Sequence, residues 1–452
     1  MPADYEEKSF WLATAGPYEE SPPLEGDAEV DVAVVGGGFC GISTAYYLRR
    51  ADPSLRVAVL EDKVVGYGAS GRNAGFAMTL MGFTLDFTAW RFGKEKAKQA
   101  HDFAHRAVDH IGQMVDSHGI DCDYEKPGLL TVATNQAQVK RLQKEIVLAE
   151  KLGIEGLQWL DVHMTRAEVH SPTYLGARWE EQCALINPAK FVRGMKRVAL
   201  EHGAEVYERT PVMEFRRGRT LRLETPRGVV KAEKVVFATN AFSARFPQLK
   251  NKQFPVFTYI VLTEPLSEEQ LAAIGWRKRQ GIEDARNLIH YYRLTADNRL
   301  LFGGADAQYY FGGDLDRDRN VQAFRRLEHD LRRTFPSLKG VRIEYRWGGP
   351  VSLPLDFFPA LGYLGDDKRV AYSLGCVGHG VALMNMAGQI MRDLVLERQT
   401  EFTDLFFVNR RLIPLPPEPL RFALGEGLRY VFKAQDAWEA RRAAAAAGVA
   451  GG

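Results

Sequence analysis

The sequence predicts two folded units. One is an α/β domain on a parallel sheet, interrupted in the chain; the other is an α+β domain built on a mostly antiparallel sheet. Three observations predict this. A strand, a glycine-rich turn, a helix and a second strand follow one another over 31–60. From about 252 to 345 short β-rich pieces replace that alternation, and 370–396 returns to strand, turn and helix. Strand–helix–strand units require parallel pairing, whereas strands joined by short connections pair antiparallel.

In chain order, residues 1–27 read as an extended leader with a turn at Ser21-Pro22-Pro23. The apolar run 31–35 is a buried strand, 42–50 a helix and 56–60 the second strand. Helical periodicity covers 92–118 and 136–153, with a strand at 128–132 between them. A helix at 189–202 and strands at 205–207 and 234–238 follow. The second unit shows strands at 256–262, 288–293, 299–303 and 341–345, and one helix at 319–334. Residues 370–391 contain no Asp, Glu, Lys or Arg, a length compatible with a membrane span. Gly375 and Gly378-His379-Gly380 interrupt the middle, so it reads as strand, tight turn and helix. The tail, 397–452, holds a proline-rich turn, an apolar patch at 428–432 that packs on the domain or on a second subunit, and an Ala/Gly run expected to fray. Domain boundaries follow: 28–110, 185–245 and 346–396 for the first unit, 111–184 and 246–345 for the second.

Composition removes several function classes. The 59 basic and 57 acidic side chains nearly cancel, which leaves no cationic surface for nucleic acid. Hydrophobic residues at 46% exclude disorder over most of the length. Cys40, Cys122, Cys183 and Cys376 are far apart, with no CxxC pair to hold zinc or form a redox disulfide. The chain starts without a signal-like layout. The expectation is a cytoplasmic, metal-free protein without membrane segments, monomer or homodimer.

Gly36-Gly37-Gly38-Phe39-Cys40-Gly41 fits G-x-G-x-x-G between the first strand and the helix. Gly36 permits the tight turn, Gly38 lets backbone approach a pyrophosphate, and Gly41 lets helix and strand pack closely. The helix N-terminus then offers amides and positive potential to a diphosphate. Glu61, followed by Asp62, ends the second strand where an acid hydrogen-bonds a ribose hydroxyl. The competing reading is a glycine-rich structural turn of another α/β fold. A second cluster follows, Gly66-Tyr67-Gly68-Ala69-Ser70-Gly71-Arg72-Asn73-Ala74-Gly75, which a nicotinamide-binding Rossmann domain does not need there.

At these residues the chain resembles the D-amino-acid oxidase (DAO) family of FAD-dependent oxidoreductases. The resemblance continues through Ala238-Thr239-Asn240 at the end of a strand, through Gly375-Cys376-Val377-Gly378-His379-Gly380-Val381, through Ser9-Phe10-Trp11-Leu12-Ala13 and through Asn187-Pro188-Ala189-Lys190. It is nearest to the bacterial gamma-glutamylputrescine oxidoreductase-like branch. The resemblance implies a discontinuous Rossmann-like FAD domain of the glutathione-reductase type. It also implies FAD held by Gly36, Gly38, Phe39, Cys40, Gly41, Glu61, Asp62, Gly68, Ala69, Ser70, Arg72, Asn73, Ala74, Gly75, Val212, Ala238, Thr239, Asn240, Gly375, Gly378, His379, Gly380 and Val381. The implied chemistry is hydride removal from the carbon next to an amine nitrogen, then hydrolysis of the imine, with electrons passed to O2 or another acceptor.

Three departures sharpen this. The family's carboxylate-gripping arginine falls on Val351, which disfavours a small α-amino acid. Gly349 and Arg72-Asn73 stand where relatives attach flavin through cysteine or histidine, so noncovalent FAD is expected. No lysine follows the strand 299–303, where relatives activate oxygen; the chain reads Ala305-Asp306-Ala307-Gln308. For substrate positioning the candidates are Tyr259, Tyr291, Arg293 and His379, with Gln308 and Trp347 weaker. Core packing competes for the aromatics, and helix capping for His379. The expected partner is a small-molecule amine, with an amino acid or N-methyl amino acid as the alternative. An NAD(P)H-dependent flavin monooxygenase or a non-catalytic flavin-binding subunit are the other readings.

Overall fold

The computed structural model describes residues 4–449. Its first sheet runs Ala360–Tyr363, Val370–Leu374, Gly228–Phe237, Ala28–Val35, Val57–Leu60, Glu205–Tyr207, with the small strands Leu221–Thr225 and Glu214–Arg216 beside Gly228–Phe237. Ala28–Val35 pairs parallel with both neighbours, and Gly228–Phe237 pairs parallel with Val370–Leu374. Strands buried on both faces suit continuous apolar runs such as Val32-Ala33-Val34-Val35, all buried. Helices Phe39–Ala51, Pro188–Glu201 and Gly380–Val395 pack together on one face.

The second sheet runs Ile343–Leu353, Phe254–Pro265, Arg299–Tyr309, His290–Leu294, Gly281–Asp284, Leu129–Ala133, Gly176–Glu180, Leu157–Leu160. Every pairing is antiparallel except that of Gly281–Asp284 with Leu129–Ala133. Helix Val321–Thr334 buries Phe324, Leu327 and Leu331 against one face. The other face turns toward the first unit.

Four sequence expectations are corrected. The 92–118 helix is two, Leu85–Phe92 and Lys94–His118, broken at Gly93, whose φ of +97° no ordinary side chain adopts cheaply. The 341–345 strand is Ile343–Leu353, long enough to carry Val351. The leader is not merely extended: Phe10–Thr14 is a short helix with Phe10, Trp11 and Leu12 buried. The tail forms a helix, Leu420–Val449, where an Ala/Gly run was expected to fray; residues 450–452 lie outside the described residues. Among the described residues no helix is long and apolar enough to cross a membrane, and no His/Cys/Asp/Glu group could hold a metal.

Candidate active site

The glycine loops meet because four parallel strands end together. Val35 pairs with Leu60 and with Phe237, and Phe237 with Tyr372. The turns leaving these strands carry Gly36–Gly38, Glu61, Ala238–Asn240 and Gly375–Gly378, which fall on the carboxyl edge of one sheet. That edge is where open α/β sheets bind ligands.

The turn after Val35 depends on absent side chains. A Cβ at Gly36, whose φ is +106°, would stand 2.9 Å from the Ala238 carbonyl oxygen. One at Gly41 would stand 1.8 Å from the Gly36 oxygen. The Phe39 N–H donates to Ser70 Oγ at 2.9 Å, which ties the first glycine turn to the second. Glu61 accepts from the Gly37 and Lys63 N–H groups at 2.6 and 3.0 Å, and burial pushes its carboxyl up to about 7. Asp62 faces Arg245 across 2.9 Å, and Val212 packs against the apolar cluster beneath the sheet.

The second loop is held by its carbonyls. Ser9 Oγ donates to the Gly71 oxygen at 2.6 Å, Trp347 Nε1 to Arg72 at 2.8 Å and Trp11 Nε1 to Asn73 at 2.7 Å. Asn73 closes the loop on itself, accepting from the Gly75 N–H and donating to Ala69 and Ser70. Arg72 is buried, donates to the Tyr67 oxygen at 2.8 Å and lies 4.4 Å over the Tyr67 ring. The clamp makes the leader helix and Trp347 supports of the loop.

At the late turn Gly375 and Gly378 take positive φ, and the Gly375 N–H donates to Ser352 Oγ at 2.8 Å. No side chain caps the helix that starts at Gly380, so its first amides stay unpaired toward the site. Buried Asn240 Oδ1 and His379 Nδ1 have no partner among the described residues, and burial pushes the His379 imidazole down to about 4, so it is neutral. Uncapped amides, side-chain-free backbone and a buried acid at the strand end together fit an adenine dinucleotide with a polar ring system.

Beside this edge lies a cavity of about 1030 Å³. Ala69, Arg72, Asn73, Ala74, Val377, Gly378, His379 and Val381 line it from the glycine loops, and Phe76, Met78, Thr258, Tyr291 and Val351 line it as well. Of the substrate candidates, Tyr291 and His379 are there. Tyr259 is not: its hydroxyl contacts Tyr310 at 2.6 Å and the Arg317 oxygen at 2.8 Å, and its ring packs on Phe324 under the helix. Along this strand Phe254, Val256 and Thr258 face the cavity and Phe257 and Tyr259 face the helix, so the core-packing alternative for Tyr259 holds. Arg293 is not there either. It donates to the oxygens of Ile186 at 2.8 Å and Gly75 at 3.3 Å, another support of the second loop, and burial lowers its guanidinium to about 10. Gln308 binds Tyr310 and Asn320, outside the cavity.

The sequence reading missed two contributors. The tail helix brings Leu428, Arg429 and Phe432 to the cavity, with Phe432 stacked on Phe83 at 5.4 Å. Arg429 and Lys433 both pair with Asp306 at 2.6 Å. Glu283 also lines the cavity, beside Tyr291. Two adjacent acids in a four-residue strand do not tell which faces a cavity until their neighbours in the sheet are known.

Residues 31–394 match the model of the FAD dependent oxidoreductase (DAO) family. The chain belongs to that family. It is 35% identical to the gamma-glutamylputrescine oxidoreductase of Escherichia coli K12 over 95% of this chain and 96% of that one. It is 29% identical to a probable oxidoreductase OrdL of Haemophilus influenzae, over 86% and 88%. Among solved structures, glycine oxidase from Geobacillus kaustophilus superposes with a TM-score of 0.71 at 22% identity, covering 85% of this chain and 99% of that one. The fold is therefore that of an FAD-binding Rossmann-like domain with a sheet-based second domain, and FAD is the cofactor of this oxidoreductase.

Proposed function

We propose that this oxidoreductase oxidises an amine at the carbon next to nitrogen, in a pocket not built to grip an α-carboxylate. The observation that carries this is the charge inventory of the cavity wall. Val351 stands at the position of the family's carboxylate-binding arginine, and each of the five arginines lining the cavity already makes a hydrogen bond or ion pair; Lys140 and Lys144, which also line it, are point charges that cannot grip a carboxylate bidentately. Arg72 donates to Tyr67, Arg141 pairs with Glu439, Arg178 with Glu145, Arg286 with Asp284 and Arg429 with Asp306. A bidentate carboxylate contact to Arg141, Arg178, Arg286 or Arg429 would have to displace an ion pair, and Arg72 is buried with its guanidinium over the Tyr67 ring. The name of the Escherichia coli relative, an oxidoreductase of gamma-glutamylputrescine, supports the same substrate class.

The division of labour we propose assigns FAD to the unit formed by 28–110, 185–245 and 346–396, and the substrate wall to 111–184 and 246–345. Gly36, Gly38 and the Cys40 and Gly41 amides at the start of the helix would hold the diphosphate, the Phe39 amide being taken by Ser70; Glu61 would hold the ribose, and Arg72–Gly75 with Gly378–Val381 the ring system. FAD supplies a hydride acceptor when bound. Attachment is noncovalent: a side chain at Gly349 would stand 3.2 Å from Arg72 Cβ. Phe76, Met78 and Tyr291 orient the alkyl part of the amine and exclude water from it. The neutral His379 titrates far below neutral pH and takes no charge change between about pH 6 and 9, which makes it a packing and orienting group.

The test is turnover of the purified holoenzyme with alkylamines, diamines and α-amino acids in air, with peroxide and aldehyde both measured. Aldehyde from amines and none from small α-amino acids supports the proposal, and peroxide yield identifies O2 as the acceptor. Turnover of glycine or alanine in preference to every amine refutes it, and oxidation of NADPH alone assigns a monooxygenase-type reaction.

A further inference from the structure

One row of residues crosses the second sheet on its cavity face. It runs Ile260, Gly303, Tyr291, Glu283, Thr131, Arg178, each facing the next in the neighbouring strand, and Thr258, two residues before Ile260 in a bulged stretch, faces Gly349. The Tyr291 ring lies across Gly303, where a Cβ would stand 2.3 Å from Tyr291 Cε2. Glu283 is next in line. It is 7% exposed and lines the cavity; Arg178 acts on it electrostatically, but no hydrogen bond and no ion pair within 4 Å holds its carboxylate among the described residues. Arg178, two strands along the row, is held by Glu145 at 2.8 Å and Glu180 at 3.7 Å. Arg178 is thus shared among three carboxylates, and of these only Glu283 has no ion pair with it. A buried ionisable acid without a partner is costly unless a ligand supplies the countercharge.

We infer that Glu283 is a subsite for a cationic group at the far end of the substrate, so that the enzyme selects elongated amines bearing a second ammonium. This rests on the amine-oxidising reading for the chemistry but not for the binding. Three inter-strand steps separate Thr258, near Gly349 and Arg72, from Glu283. At about 4.8 Å each they span about 14 Å. A single amino acid unit covers about 3.5 Å, so glycine or alanine cannot touch both ends, whereas an extended diamine approaches the needed length. Tyr291, between the ends, offers its ring to the alkyl chain or to the ammonium itself.

The experiment compares diaminooctane with n-octylamine on the holoenzyme, by calorimetric binding and by turnover, in wild type, Glu283→Gln and Glu283→Asp. The expected result is a preference for the diamine of about tenfold or more in wild type, the size of one charge-assisted contact. That preference falls to about onefold in Glu283→Gln and returns in part in Glu283→Asp. Flavin content and melting temperature of each variant establish that it is folded. An equal preference in wild type and Glu283→Gln overturns the inference, as does equal binding of the two amines by wild type. Binding selectivity at Glu283 without turnover of either amine keeps the subsite and refutes the amine-oxidising reading, so the two failures are distinct.

Discussion

Glu283→Gln has a second consequence, on stability, and its size follows from the burial of the carboxyl. Burial raises the group from an ordinary 4.5 to about 7, with Arg178 opposing that rise and Asp284 and Glu180 adding to it. The folded state therefore holds the proton more tightly than the unfolded chain. The stability contributed by the protonated form is complete below about pH 4.5 and is lost as pH rises through about 7. At about 1.4 kcal/mol per pH unit, the loss approaches about 3 kcal/mol above pH 8. Glutamine cannot ionise, so the variant escapes this loss. With an unfolding entropy of about 2.1 cal/mol/K per residue over 452 residues, the variant should melt about 3 °C higher than wild type near pH 8. It should melt at nearly the same temperature near pH 5. The assay is differential scanning calorimetry of substrate-free holoenzyme across that range. A variant that melts lower than wild type near pH 8, or whose advantage does not change with pH, refutes the picture of an unpartnered buried acid. A gain in stability paired with a loss of diamine selectivity is the expected mark of a group kept for binding.

Three other perturbations test the rest of the site. Gly41→Ala places a methyl 1.8 Å from the Gly36 oxygen, so helix and strand must separate; the protein should be colourless after gel filtration, and full FAD content would contradict the assignment of this turn. Arg293→Met removes the donor to the carbonyls of Gly75 and Ile186. It should destabilise by about 2–4 kcal/mol and weaken FAD retention in titrations; unchanged FAD affinity would show that the second loop does not need this clamp. Val351→Arg returns a guanidinium to the cavity wall and should raise kcat/KM for glycine relative to an alkylamine by about tenfold or more, and no change would place the carboxylate-binding position elsewhere.

How much of this was legible before the structure depends on what each feature requires. The turn at Gly36–Gly41 was readable because its demand is on the backbone alone: a missing Cβ is visible in sequence, and its consequence is local. The 375–380 turn makes the same demand at Gly375 and Gly378, both at positive φ, whereas Glu61 was placed by its spacing after the glycine turn. Tyr259 was misassigned because the strand Phe254–Pro265 carries large apolar or aromatic residues on both faces. Alternation separates the faces without saying which is covered by helix Val321–Thr334. Arg293 was misread because a buried arginine serving only carbonyls has the same sequence signature as one awaiting a carboxylate. The tail helix was hidden because its anchoring contacts are remote: Asp306 with Arg429 and Lys433, Asn287 with Asp436 at 2.9 Å, and Phe83 with Phe432. Glu283 became visible only through its sheet neighbours, which lie about 150 residues away in Thr131 and next door in Tyr291.

Anaerobic titration of the holoenzyme decides whether the cavity beside the three glycine loops oxidises an amine. Diaminooctane should bleach the flavin absorbance with one equivalent of substrate per flavin, and glycine at the same concentration should leave it intact. Bleaching by glycine but by no amine would contradict the account.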